Sequence, residues 1–161
     1  MDLLENNYQV AISVQFLQTA QHLLEELKRH KVPAVTITGA DTAALREDVR
    51  KHFQSGQAKV VIFTITEGIS LHAGQTEHGG NDVPRALILH DPRWSGIQTI
   101  QIEGRTHRNG RNAIAYHGYA KDTVEADVVR KTISRISDMK TLLGDHSDLE
   151  ELTDLLDDLS V

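Results

Sequence analysis

The chain has 161 residues, enough for one domain with a real core and too few for two large ones. Cys is absent, which excludes disulfides, thiolate zinc sites and Cys nucleophiles. The net charge of −6 is unevenly placed: seven acids, Asp145, Asp148, Glu150, Glu151, Asp154, Asp157 and Asp158, fall in the last 17 residues, and removing them from the 23 leaves 16 acids against 17 bases. A near-neutral body therefore carries an acidic tail, and its net charge neither repels nor demands a polyanion. No apolar run reaches the roughly 18 residues of a membrane-spanning helix. The opening MDLLENNYQV has no basic or apolar signal region, so a cytoplasmic or nuclear location and no membrane partner are expected.

Taken in order, Val10–Phe16 is the first of five strand-length runs rich in Val, Ile and Ala. Leu17–His30 follows with Leu17, Ala20, Leu23, Leu24 and Leu27 on one helical stripe. Ala34–Thr38 is the second run. Thr42–Gln54 then places Leu45, Val49 and Phe53 on one stripe, with Asp41 as the expected N-cap. Lys59–Thr64 is the third run. His72–Pro84 has three Gly and no periodicity, and reads as a long exposed loop. Arg85–His90 is the fourth run. Ser95 and Gln98 open a helix through about Glu103, Ala113–Tyr119 is the fifth run, and Asp122 and Glu125 open a helix toward Leu143. The first, third and fourth runs are continuously apolar, the pattern of strands covered on both faces. The alternation predicts an α/β domain, residues 1–144, with a mainly parallel sheet flanked by helices and right-handed crossovers.

Residues 145–161 form an expected second element, an acidic amphipathic helix. Ser147 and Glu150 make a capping pair, and Leu149, Leu152, Leu156 and Leu159 make a narrow apolar stripe. Such a stripe needs a surface, on this domain or on a partner.

Three segments carry candidate chemistry. In QIEGRTHRNG, Arg105 and Arg108 stand three apart, and two guanidiniums can grip a phosphate bidentately. Gly104 and Gly110 allow close backbone approach and sharp turning. An isolated R-x-x-R is more often a solvated basic turn. TITEGISL offers hydroxyls, Gly68 and a helix start after the third strand, components of a phosphate or ribose contact, or simply of a capped βα turn. Trp94, the single Trp, can stack on a base or pack ordinarily.

In this order the segments resemble the C-terminal RecA-like domain of superfamily 2 helicases and translocases. QIEGRTHRNG resembles motif VI, TITEGISL motif V, and VAISVQF motif IV. Gly39, Arg46 and Phe53, closing with Gly56, fall where the family carries G…R…F-x-x-G. PRW-S together with GRTHR resembles the Snf2-like branch, and GISLHA adds a likeness to strawberry-notch-type helicases. Glu67, Ser70 and Ala43 depart from the DEAD-box pattern.

The resemblance implies a RecA-like fold without a P-loop, since no G-x-x-x-x-G-K-[ST] and no Walker B segment occurs. ATP with Mg²⁺ would be bound mainly by a preceding RecA-like domain, in cis or in trans. This chain would complete the site with Arg105 and Arg108, the latter as arginine finger, and with Gln101, Gly68, Ser70 and Gly104 near the nucleotide. It would be inactive as an ATPase alone. Ser13, Gln15, Gly39 and Thr64 would face a nucleic-acid backbone, with DNA favoured over RNA. A nucleic-acid-binding module without ATPase role is the competing reading. A Rossmann-type enzyme lacks its G-x-G-x-x-G, and the scattered His offer no metal site.

Overall fold

The computed structural model describes residues 2–64, 69–74, 80–107 and 113–144. Gly68, Arg108, Gly110 and the acidic segment 145–161 therefore lie outside the described residues.

Five strands form one sheet in the order β2-β3-β1-β4-β5: β1 Gln9–Ser13, β2 Ala34–Ile37, β3 Val60–Phe63, β4 Arg85–Leu89 and β5 Ile114–His117. Every pairing is parallel. The helices are α1 Asp2–Glu5, α2 Leu17–Arg29, α3 Ala43–Gln54, α4 Gly96–Glu103 and α5 Val124–Leu143. The β1–α2–β2 crossover steps across β3 in one direction, and the later crossovers step back in the other. With right-handed crossovers, that reversal puts α2 on one face and α3 and α4 on the opposite one.

The two cores follow the alternation of side chains along the strands. Val10, Ile12, Val60 and Ile62 pack with Ala20, Leu23, Leu24 and Leu27 of α2. Ala11, Val61, Phe63, Leu87 and Leu89 pack with Val49 and Phe53 of α3 and Ile102 of α4. The continuously apolar runs are thus central strands, β1, β3 and β4, buried on both faces. Each large apolar side chain so buried stabilises by roughly 1.5–3 kcal/mol. The flanking β2 is half-buried, and β5 exposes Ile114 and Tyr116.

Several local expectations are corrected. The N-cap of α3 is Thr42, whose hydroxyl accepts from Leu45 N–H; Asp41 turns back to accept from Thr38 N–H at 2.6 Å and Thr38 Oγ1 at 3.0 Å. An Asx-type contact within the preceding loop has outcompeted capping. Likewise Thr123 caps α5, while Asp122 takes φ +61°. Leu45 is exposed although it shares a stripe with Phe53, because α3 buries only its C-terminal half. The first helix, α1, carries too few apolar positions to show a period; Leu3 and Leu4 seat it against the α2-side core. The described start of the His72–Pro84 loop is not exposed, since His72 and Ala73 are buried; at its other end Asn81 is tied to α3, while Asp82 and Pro84 are exposed.

Candidate functional site

The parallel register brings the carboxyl ends of the strands together. Ser13 lies opposite Phe63 and Leu89, Ile37 opposite Phe63, and Leu89 opposite His117. Beyond them the β1 and β4 exits are laced. Asp91 Oδ2 accepts from Gln15 N–H at 2.6 Å, and Gln15 Nε2 donates to Pro92 O at 2.8 Å. Arg93 Nη2 donates to Ser13 Oγ at 3.2 Å and Val14 O at 3.1 Å. Thr132 Oγ1 of α5 donates to Arg93 O, and Arg135 Nη1 donates to Trp94 O at 2.8 Å. One turn, residues 91–94, therefore joins β1, β4 and α5.

Of the residues expected at a nucleic acid, Gln15 and Gly39 are exposed here and Thr64 is half-buried. Ser13 is buried beneath Arg93, so its hydroxyl is not presented at the surface. Arg46 and Arg93 lay within motif-like segments of the sequence, which assigned neither a role at this edge. Arg46 Nη2 donates to Gly39 O at 3.0 Å, shaping the loop after β2. The Nε atoms of both arginines are buried without a hydrogen-bond partner. Burial pushes the Arg93 guanidinium below its ordinary pKa, and the nearby Asp91 carboxylate partly opposes this.

The described part of the arginine segment, which ends at His107, meets the chain after β3 on the α3–α4 face. Leu71 N–H donates to Arg105 O at 2.7 Å, and Leu71 O accepts from Arg85 Nε at 3.1 Å, at the amino end of β4. Arg105 Nη1 donates to Ile69 O at 3.1 Å, while its Nε is buried without a partner. The tail of the TITEGISL segment and the end of α4 are thereby brought into contact. The hydroxyl-bearing Ser70 is half-buried there, its carbonyl held by Gln54 Nε2 at 3.2 Å. Gln101 and Gly104 are exposed near the α4 terminus. Gly104 does not supply a sharp turn: it takes φ −60°, and a Cβ there would lie 3.3 Å from Ile100 O. Glu103 also pairs with His117, 3.2 Å away, bracing α4 on β5.

Beneath this contact lies a polar cluster that the sequence did not announce. Arg85, 1% exposed, donates from Nη1 to Gln9 Oε1 at 2.5 Å and Val83 O at 2.7 Å, and from Nη2 to Gln54 Oε1 at 3.0 Å. Its guanidinium also covers the Phe53 ring at 5.1 Å. Burial pushes its pKa down to about 10, against the pull of Asp82. The only advance signal was a charged residue opening an apolar strand.

The donors at Arg105 suit a phosphate oxygen rather than a metal, because a guanidinium only donates. Among the described residues no cluster of three or more His, Asp or Glu could hold a metal ion. Also among these residues, no helix is long and apolar enough to cross a membrane.

A five-stranded parallel sheet with helices on both faces and this strand order defines a RecA-like domain of the helicase C-terminal kind. The chain belongs to the helicase conserved C-terminal domain family, whose sequence profile matches residues 1–110. No curated protein sequence matches it. Among solved structures it is similar to the C-terminal part of the Fun30 ATPase domain, with TM-score 0.66 and 18% identity over 81% of this chain and 41% of that one. It spans, then, about two fifths of that longer chain. It is also similar to the C-terminal domain of the DEAD-box protein Dbp5, with TM-score 0.65 and 21% identity over 84% of this chain and 75% of that one. S. cerevisiae Dbp5 C-terminal domain bound to Gle1 and IP6 matches at TM-score 0.56 and 17% identity, over 98% of this chain and 87% of that one.

Proposed function

We propose that this domain is the second half of a superfamily 2 nucleic-acid motor, completing an ATP site whose P-loop and Mg²⁺ ligands stand on a preceding RecA-like domain. The observation that carries this reading is the contact between Ile69–Leu71 and Arg105, since it joins the two segments that resemble motifs V and VI. Arg105 and Arg108 are the proposed γ-phosphate contacts, Arg108 the arginine finger, with Gln101, Gly68, Ser70 and Gly104 lining the nucleotide. ATP with Mg²⁺ supplies the transferable phosphoryl group. This chain's own contribution is donors held in place beforehand, which lowers the cost of stabilising the charge that develops. Closure and reopening of the two domains would move the pair along the strand.

Gln15, Gly39 and Thr64 at the carboxyl edge are the proposed backbone contacts, with Ser13 acting beneath them by holding Arg93. Contacts of this kind are independent of sequence. The Snf2-like assignment rests on the PRW-S and GRTHR pairing and its strawberry-notch-type refinement on GISLHA beside them, and DNA as the polymer goes with them; the structural neighbours include a DEAD-box protein and lend them no support. The acidic segment 145–161 is proposed to be an appendage to the 1–144 domain. A second reading, a nucleic-acid-binding module without ATPase role, is favoured by Arg105 being half-buried and engaged with a backbone carbonyl.

The experiment is phosphate release by the chain alone and joined to a P-loop RecA-like domain, each with and without nucleic acid. The chain alone should be inactive; turnover near ~1 s⁻¹ would sink the half-site reading. In the joined protein Arg108→Ala should lower turnover by roughly 10³-fold, and Arg108→Lys should not restore it, because an ammonium lacks the planar fork. Unchanged turnover in both variants would favour the module.

A further inference from the structure

The described part of α5 presents two stripes. Val129, Thr132, Ile133 and Ile136 are buried against the domain. A second stripe, Lys131, Arg135, Met139 and Leu142, runs at steps of four, four and three along the outward side, with Leu142 86% exposed. Beside it the start of α4 forms the facing wall of a shallow groove, with Trp94 57% and Ile97 60% exposed. Close packing of α4 on α5 makes that wall: a Cβ at Gly96 would lie 3.2 Å from Ile136 Cγ1. The Arg135 bond to Trp94 O ties the groove's two sides together.

We propose that this groove is the docking site of the chain's own acidic segment, Ser147–Leu159, which folds back on α5 as an αα-hairpin. Three features converge on that occupant. First, Gly144 closes α5 at φ +69°, the left-handed cap after which a chain can turn, and only Asp145 and His146 separate it from Ser147. A two-residue connection is within the range that joins antiparallel helices. Second, the spacings agree in reverse over the first three positions. Leu149, Leu152 and Leu156 step by three and four, as do Leu142, Met139 and Arg135 taken antiparallel, and Leu159 then falls one residue short of Lys131. Third, the charges complement along the same register. The apolar end of the stripe receives the first two leucines, while Asp154, Asp157 and Asp158 arrive at its basic end. A stripe this narrow is marginal as an isolated helix of about 15 residues, so its stability depends on being covered. The covered groove would withdraw the indole of Trp94 from water and from a stacking base.

Trp94 is the single Trp of the chain, so its fluorescence reads the groove directly. The test compares the full chain with full-length Leu152→Asp/Leu156→Asp, and with the chain ended after Gly144, using emission maximum and acrylamide quenching. In the full chain the indole should be shielded, with a blue-shifted maximum. Both variants should shift it to the red and raise quenching by roughly twofold, since an amphipathic ring loses its apolar cover. Arg135→Glu should produce part of the same change, shrinking as salt screens the pair. Far-UV circular dichroism confirms that the domain stays folded; if the shortened chain does not fold, the double leucine variant alone decides. Identical quenching in the full chain and the folded double variant overturns the proposal. Shielding that appears only as the protein dimerises, seen by sedimentation at several concentrations, also overturns it, because a second copy would then be the occupant.

Discussion

The two ends of the sheet solve the same problem differently. At the amino end, Arg85 is wholly buried, and Gln9, Gln54 and Asn81 accept its hydrogens while their own amides go to Phe53, Ala58, Ser70, His72 and Gln54 carbonyls. At the carboxyl end, Arg93 and Arg46 are fixed by one nitrogen each while each leaves its Nε without a partner, and Gln15, Gly39 and Trp94 meet water. A buried polar network that is nearly satisfied specifies and seals a structure. An edge with polar capacity in reserve is a place for something to bind, and open parallel sheets take their ligands there.

The comparison breaks first if Arg85 proves dispensable. Arg85→Met should destabilise by about 3–5 kcal/mol, because it takes the guanidinium donors from the buried acceptors of Gln9, Gln54 and Leu71. For a domain of this size that is a fall in Tm of about 10 °C or more, read by thermal unfolding. Arg85→Lys should recover only a minor part, since one ammonium cannot span Gln9, Gln54 and Leu71 together.

Gly118 sits where the carboxyl edge is tightest. A Cβ there would meet His90 O at 3.1 Å and Leu89 O at 3.2 Å, and both are backbone atoms that cannot swing away. Gly118→Ala should cost about 1–3 kcal/mol in urea unfolding, through separation of β5 from β4.

Arg93→Ala should cost less, about 1 kcal/mol, because the half-buried Arg93 is itself the cover over Ser13 and Val14, and its truncation opens their freed acceptors to water. Its signature should instead be local, as changed amide chemical shifts at Ser13, Val14 and Gln15 in NMR spectra. A loss equal to that of Arg85→Met would show that the two ends are equivalent and would remove the distinction. Smallest of all, Trp94→Ala should leave unfolding free energy within about 0.5 kcal/mol, as expected for an exposed side chain.

How far the sequence reached varies with the range of the interactions involved. Continuous apolar runs in VAISVQF, KVVIFT and RALILH announced central strands, since only cover on both faces tolerates such surface in water. Ser95 as a cap was legible for the same local reason: its hydroxyl reaches Gln98 N–H three residues on. Asp41 and Asp122 misled because two neighbouring side chains could each cap, and the backbone of the preceding loop chose between them.

The sequence by itself determined the class of the protein. Helix and strand periods, and the order of the motif-like segments, depend on contacts within a few residues. Only the tertiary structure decided the rest. The strand order carried the segment after β3 down to the amino end of the sheet, so that Leu71 met Arg105 from one side and Arg85 from the other. It also put Ser13 beneath Arg93, 80 residues away in the chain, and hid a hydroxyl that the sequence had placed at the surface. Pairings of that separation leave no periodic trace, because a hydrogen bond constrains where two groups meet in space and not how the residues around each of them are ordered.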